Sequence, residues 1–183
     1  HYNEFREMGI DILTGGNHTW DRKEILDYIN QAEWLLRPAN FSKKELPGTG
    51  VKLLEVGGHK IGVINLMGQI FMGQYTSPWE ALESGLEDLK KETNIIFLDF
   101  HAEATAEKIA LGRYAAGLGL SAMVGTHTHV QTADEQIFNG TMGYITDAGF
   151  NGVRDSVIGM DAEISINRLR TTDSPRLDIA QGN

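Results

Sequence analysis

The sequence predicts an α/β protein built on mixed β-strands flanked by helices. Three observations point there. Short apolar runs alternate with helical segments along the chain. Two hairpins with glycine-bearing turns interrupt that alternation. Polar clusters rich in histidine follow the apolar runs, at the strand ends where open α/β sheets bind their ligands.

The elements follow in order. His1 to Met8 reads as the last turns of a helix, with Tyr2, Phe5 and Met8 on one side. Ile10 to Leu13 reads as a short buried strand. Asp21-Arg22-Lys23-Glu24 has the capping-box pattern and opens a helix to about Asn30. Val51 to Val56, Gly57-Gly58 and Lys60 to Leu66 form a hairpin. A Gly- and Gln-rich loop, Met67 to Ser77, leads to Ser77-Pro78-Trp79-Glu80, a helix start with an N-cap serine and proline at the first position. That helix should run to about Glu92. Ile95 to Phe100, broken only by Asp99, suits a strand buried on both faces. Ala104 to Ala116 is helical and ends at Gly117-Leu118-Gly119; Ser121 to Val124 is another short strand. Ile137-Phe138, Asn139-Gly140 and Met142 to Ile145 form a second hairpin, and Asp161 to Leu169 a last helix.

At 183 residues and 41% apolar, the chain makes one domain, or most of one, with a full core. A net charge of −9 without a Lys/Arg-rich block argues against nucleic-acid polymers and anionic membranes as partners. The absence of cysteine excludes disulfides and thiolate metal ligands. No apolar run reaches membrane-spanning length and the start lacks a signal-peptide pattern, so a cytoplasmic location is expected. Position 1 is His, and the polar tail from Thr171 to Asn183 stops without a closing element. Residues 1–183 are therefore expected to be a single partial domain, truncated at the N-terminus and at the C-terminus.

Four of the six histidines sit at expected strand ends. Gly16-Asn17-His18 follows Ile10 to Leu13, His101 follows Ile95 to Phe100, and Gly125-Thr126-His127-Thr128-His129 follows Ala122-Met123-Val124. Neutral imidazole suits Zn, Fe, Mn, Ni and Cu, and the cluster with its His-x-His points to a metal site. His59, at a hairpin tip, is expected to be solvated, and His1 uninvolved. Asn and His are neutral ligands, so two divalent ions would keep four positive charges uncompensated. Asp99, Glu103 and Asp147 lie near the clusters, but Asp99 and Glu103 flank His101 and read as partners that orient imidazoles. The missing carboxylates are expected upstream of position 1.

The segments Gly16 to Asp21, Leu36 to Phe41, Asp99 to Thr105, Gly125 to Thr132, Ile145 to Asp147 and Gly159 to Asp161 resemble the calcineurin-like metallophosphoesterases, and the YmdB-like bacterial phosphodiesterases more closely still. The resemblance covers about positions 1 to 170. It implies the calcineurin-like sandwich of mixed β-sheets flanked by helices. It also implies two divalent or di-/trivalent ions (Fe, Mn or Zn). Asn17, His101 and His127 would ligate one ion and His129 the other, with His18 as the general acid. The family's earlier blocks, an Asp after the first strand and a Glu-Asn pair after the second, are not in this sequence, which agrees with the charge count.

The expected function is hydrolysis of small phosphodiesters by a hydroxide held between two metal ions, His18 protonating the leaving alkoxide. The resemblance implies 2′,3′- or 3′,5′-cyclic nucleotides as substrates and a homo-oligomer. Trp20, Phe71, Tyr75 and Phe150 are candidates to stack a base and equally candidates for packing. Arg37 could contact an anion or cap a helix, and the loop over 67–77 is a candidate wall of the substrate cleft. Two other readings stand beside this one. They are a phosphomonoesterase or nucleotidase on the same ions, and a regulatory module that holds metal and nucleotide without turnover.

Overall fold

The computed structural model describes residues 1–42, 45–73, 75–172 and 175–182. Gln74 of the predicted loop and Asp173, Ser174 and Asn183 of the tail lie outside the described residues.

The first stretch departs from its sequence pattern. Tyr2–Glu7 is helical (α1) but buries none of its residues, and Met8 is 75% exposed. The predicted strand over Ile10 to Leu13 is displaced to Leu13–Thr14 (β1), and Ile10 is exposed. What defines β1 is its ladder partner, Leu35–Leu36 (β2), in parallel register Leu13 to Leu35. That pairing is long-range and left no mark on the local pattern. The second helix is also shorter than expected, Glu24–Tyr28 (α2), and no side chain caps it. The Asp21 carboxylate that would have formed the capping box binds His18 instead.

The main sheet follows the sequence more closely. Val51–Val56 (β3) and His59–Met67 (β4) pair antiparallel from Val56 to His59. Gly57 and Gly58 form their turn with φ of 57° and 78°, a conformation glycine adopts freely and that matches strand twist. Ser77 Oγ accepts the Glu80 N–H and opens Pro78–Leu89 (α3), a cap worth about 1 kcal/mol. Ile96–His101 (β5), Thr105–Gly117 (α4), Ala122–Thr126 (β6), Gln136–Phe138 (β7), Met142–Ile145 (β8) and Ala162–Arg170 (α5) complete the order. The strands of the sheet run β3-β4-β5-β6-β8-β7, parallel from β4 through β8 with an antiparallel strand at each edge. Among the described residues no helix is long and apolar enough to cross a membrane.

One face of this sheet carries the core. Ile64, Leu66, Leu98, Phe100 and Met123 pack with Leu82 and Leu86 of α3 and Leu111 and Ala115 of α4. The other face is covered more thinly. Leu54 and Val63 meet Leu36, with Ile12 and Trp34 against them. Leu54, Val63 and Ile12 of that cluster also line an open cleft of about 460 Å³, with Thr14, Phe97, Asp99, Val124 and Thr126. The expectation that β5 is buried on both faces therefore fails: Leu98 and Phe100 are fully buried while Phe97, on the opposite face, is 40% exposed. Described residues of the tail dock onto the segment before α5. Asp161 N–H donates to Asp178 O, Ala180 N–H donates to Gly159 O, and the Ala180 side chain is buried.

Candidate metal centre

The parallel register aligns Met67 of β4, His101 of β5 and Thr126 of β6 at the carboxyl ends of three neighbouring strands. The loop after β1 is drawn onto this edge. Asn65, fully buried on β4, accepts the Gly15 N–H at 3.1 Å and donates to Asp99 at 3.4 Å. Gly16 then lies flat against the His101 ring; a Cβ there would stand 2.5 Å from two ring atoms. Only glycine lets Asn17 reach that ring.

Asn17, His101 and His127 meet at this point. His101 Nε2 is 2.9 Å from Asn17 Oδ1 and 3.1 Å from His127 Nδ1. A further hydrogen bond fixes which ring nitrogen of His101 carries the proton. Thr126 donates its hydroxyl to Asp99 at 2.8 Å, so it accepts from His101 Nδ1–H at 3.0 Å. His127 Nε2 lies 3.1 Å from a Glu103 carboxylate oxygen, an ion pair when the ring is protonated. His101 Nε2 then turns a lone pair to Asn17 Oδ1, and to His127 Nδ1, which donates to it in one tautomer and faces it with a lone pair of its own in the other. The facing acceptors His101 Nε2 and Asn17 Oδ1 repel unless a cation joins them.

The donor set fits a divalent ion. Donors bound at about 2.1 Å to one ion stand roughly 3.0–3.4 Å apart, close to the separations above. The second ring nitrogen of His101 is held by Thr126, the arrangement that fixes tautomer in metal-binding histidines, and that of His127 lies 3.1 Å from the Glu103 carboxylate. The set is poor in charge, however. Among the described residues, no three His, Cys, Asp or Glu side chains gather in a way that could hold a metal ion. Asp99 is turned to Thr126 and Asn65, Glu103 to His127, and Asp147 to the buried Lys108 at 2.7 Å.

The two other histidines lie beside this cluster. His18 donates from Nδ1 to Asp21 at 2.8 Å, and its Nε2 faces the Asn17 amide at 3.4 Å. His129 does not share the hydrogen bonds of the trio. Its Nδ1–H donates to Ile158 O at 3.0 Å and its ring stacks on Phe150, so Nε2 keeps its lone pair. It is close enough for its charge to lower the His127 pKa. Backbone strain collects here. His127 and His129 have φ of 108° and 63°, and Ile158, a β-branched residue, has φ of 48°.

Burial, and after it the charge of His127, push the His101 imidazole down to about 4. His127 is lowered as well, chiefly by burial. An unfolded histidine takes up its proton near pH ~6.5, whereas native His101 does so only near 4. Between these values the unfolded chain binds the additional proton, so acidification destabilises the metal-free fold. From this group the slope is no more than about 1.4 kcal/mol per pH unit, and it levels off below the native pKa. Urea denaturation at pH 7 and pH 5 should show a smaller loss in His101→Gln than in the parent chain.

Several residues that build the site were not singled out by sequence pattern. Lys108 and Glu107 of α4 are buried; Lys108 lies on the stripe of Leu111, Gly112 and Ala115. A lysine on an apolar stripe was the available signal. Glu107 accepts the Gln69 and Ile70 N–H groups and so anchors the loop after β4. Asn65 and Thr126 left no signal of their own. Of the candidate stacking residues, Trp20 and Tyr75 each pack edge to face on Phe41. Phe150 covers His129, and Phe71 is 88% exposed. Arg37 is structural, donating to the Pro38 and Pro47 carbonyls. His59 is exposed, as expected, and His1 pairs with Glu4.

The family model described as YmdB-like protein matches residues 1–183. The chain is 45% identical over 181 residues to the 2′,3′-cyclic-nucleotide 2′-phosphodiesterase of Bacillus subtilis (strain 168), covering 99% of this chain and 68% of that protein. A solved structure of a hypothetical protein from Thermus thermophilus matches with a TM-score of 0.88 at 38% identity, over 99% of this chain and 70% of that one. A phosphatase structure from Mycoplasma pneumoniae matches with a TM-score of 0.86 at 32% identity, over 99% of this chain and 66% of that one. The chain thus spans about two thirds of the length of these relatives. The predicted calcineurin-like α/β fold, mixed strands flanked by helices, is the fold found. The chain belongs to the YmdB-like family of metallophosphoesterases, a family of enzymes.

Proposed function

We propose that these residues form the histidine half of a two-metal phosphodiesterase site whose substrates are small cyclic phosphodiesters, 2′,3′- or 3′,5′-cyclic nucleotides. The observation that carries this reading is the meeting of Asn17 Oδ1, His101 Nε2 and His127 Nδ1 at 2.9 and 3.1 Å. These would hold one ion, and His129, through Nε2, would contribute to the second. Two divalent ions (Fe, Mn or Zn), when bound, offset phosphate charge and acidify a water into a nucleophile. That positive charge is needed locally, because the chain carries a net charge of −9. The relative named for 2′,3′-cyclic nucleotides supports the substrate class.

His18 is the proton donor in this reading. Asp21 holds its Nδ1, so the proton that reaches the leaving alkoxide comes from Nε2, beside Asn17. His18→Ala should spare metal content and slow turnover by about 10²–10⁴-fold. Loss of metal in that variant, read by elemental analysis, would make His18 a ligand and not an acid.

The substrate assignment is tested by comparing bis-p-nitrophenyl phosphate and a 2′,3′-cyclic nucleotide with p-nitrophenyl phosphate under Mn²⁺. Diester turnover is expected, and activity on the monoester alone would make this a phosphomonoesterase. One observation favours a second reading, a module that binds metal and nucleotide without turnover: Asp99, Glu103 and Asp147 are each committed to other partners. Nucleotide binding with no product over hours would select it.

A further inference from the structure

Lys108 and Asp147 make an ion pair sealed from solvent, with side chains 0% and 1% exposed and Nζ 2.7 Å from Oδ2. The lysine reaches its partner by running past Gly125. A Cβ on that glycine would stand 3.0 Å from Lys108 Cδ, so the absence of a side chain there is what opens the passage. Asp147 spends its other lone pairs on two loops. Oδ2 accepts both the N–H and the hydroxyl of Thr128, at 3.1 and 2.8 Å, and Oδ1 accepts the Gly149 N–H at 2.8 Å. Burial pushes the Asp147 carboxyl up, but Lys108 and these donors outweigh it and hold the group below its usual range.

Thr128 is the residue between the two strained histidines. Positive φ values of this kind cost about 1–3 kcal/mol each and persist only when neighbouring bonds enforce them. Thr128 is also the centre of the turn's other bonding, since its Oγ1 accepts the Val130 N–H at 3.2 Å, while the His129 ring bonds outward to the Ile158 carbonyl and the His127 ring lies against Glu103. A buried ion pair contributes little net stability, so its retention here calls for another role.

We propose that Lys108 and Asp147 are positioning residues: their ion pair clamps Thr128 and so sets the strained turn that aims His127 and His129 at the metal centre. The effect acts through Thr128, because neither member touches an imidazole. This rests on the proposed metal site, and the experiment separates the two. Thr128→Val removes the hydroxyl bond at a half-buried position where the fold should survive, and Thr128→Ser restores it. Leu89→Ala, in the core at the far end of α3, serves as a destabilised control.

Zn²⁺ affinity of the 183-residue chain should fall about 10–100-fold in Thr128→Val, as for other residues that orient metal ligands. It should recover in Thr128→Ser and stay at the parent value in Leu89→Ala. Asp147→Asn and Lys108→Met should lose at least as much as Thr128→Val if they fold. Parent affinity in Thr128→Val, or an equal loss in Leu89→Ala, would overturn the positioning role. If the parent chain itself does not bind Zn²⁺, the metal-site reading fails. The clamp is then still read in the metal-free chain from the HN–Hα couplings of residues 127 and 129. These should change in Thr128→Val and stay at parent values in Thr128→Ser, and unchanged couplings in the valine variant would overturn it.

Discussion

Gly125→Ala is expected to destabilise the fold by about 3 kcal/mol or more, at the severe end for overpacking. Its φ is ordinary for an L-residue, so the penalty does not come from conformation. It comes from position. An added Cβ would fall 1.7 Å from the Thr146 carbonyl oxygen and 2.7 Å from its carbon, both backbone atoms of the neighbouring segment. Backbone cannot rotate away as a side chain can, so β6 and β8 must separate. The Gly125 carbonyl also accepts the Ala148 N–H, and that bond would go with them. The same methyl would press on Lys108. For a chain of this size a loss of that magnitude lowers Tm by roughly 6–12 °C. Gly117→Ala is the matching control. Its Cβ would meet nothing within 4 Å, at the end of α4, and a gain of up to about 1 kcal/mol is expected. Thermal denaturation of the two variants side by side checks both directions, and a Gly125→Ala chain as stable as the parent would mean the two strands are not this close.

His101→Ala should abolish metal binding while leaving the metal-free fold in place. His101 is the only one of the trio in contact with both others, at 2.9 and 3.1 Å. Its removal separates Asn17 from His127. Residues that merely orient a metal ligand are worth 10–100-fold in affinity, so loss of a shared ligand should exceed about 100-fold. The fold should tolerate the change because the ring lies at the carboxyl edge of β5, only partly buried, and its removal relieves the crowding of lone pairs. Calorimetric titration with Zn²⁺ beside a urea denaturation separates the two effects. An affinity within tenfold of the parent would remove His101 from the site.

Much of this molecule was legible in local chemistry. Gly57-Gly58 and Asn139-Gly140 fixed the turns of both hairpins, and Ser77-Pro78 fixed the start of α3. The histidine clusters fell at strand ends, and three of the five candidate site residues meet there. The illegible part was decided by distant partners. β1 is where it is because Leu35–Leu36 lies beside it, and Asp21 abandons a helix cap because His18 is near. The strand order, which puts β8 inside β7, is likewise a long-range outcome. The orienting roles expected of Asp99 and Glu103 came out with different geometry. Asp99 acts on His101 through the Thr126 hydroxyl, and Glu103 binds His127, not its sequence neighbour. Asp147, which charge counting offered as a carboxylate near the metals, is neutralised by Lys108.

A metal ion at this site requires that His101 Nε2 and His127 Nδ1 both point lone pairs at one place, with His101 protonated at Nδ1 toward Thr126 and His127 at Nε2, 3.1 Å from Glu103. Nitrogen-15 spectroscopy of the histidine rings, before and after Zn²⁺ is added at about pH 7.5, above the ordinary histidine range, reads this directly. In the metal-free chain His101 should be protonated at Nδ1 and His127 at Nε2, and zinc should move the resonances of the two opposite nitrogens. A proton found on His101 Nε2, or zinc that leaves both of those nitrogens unmoved, would contradict it.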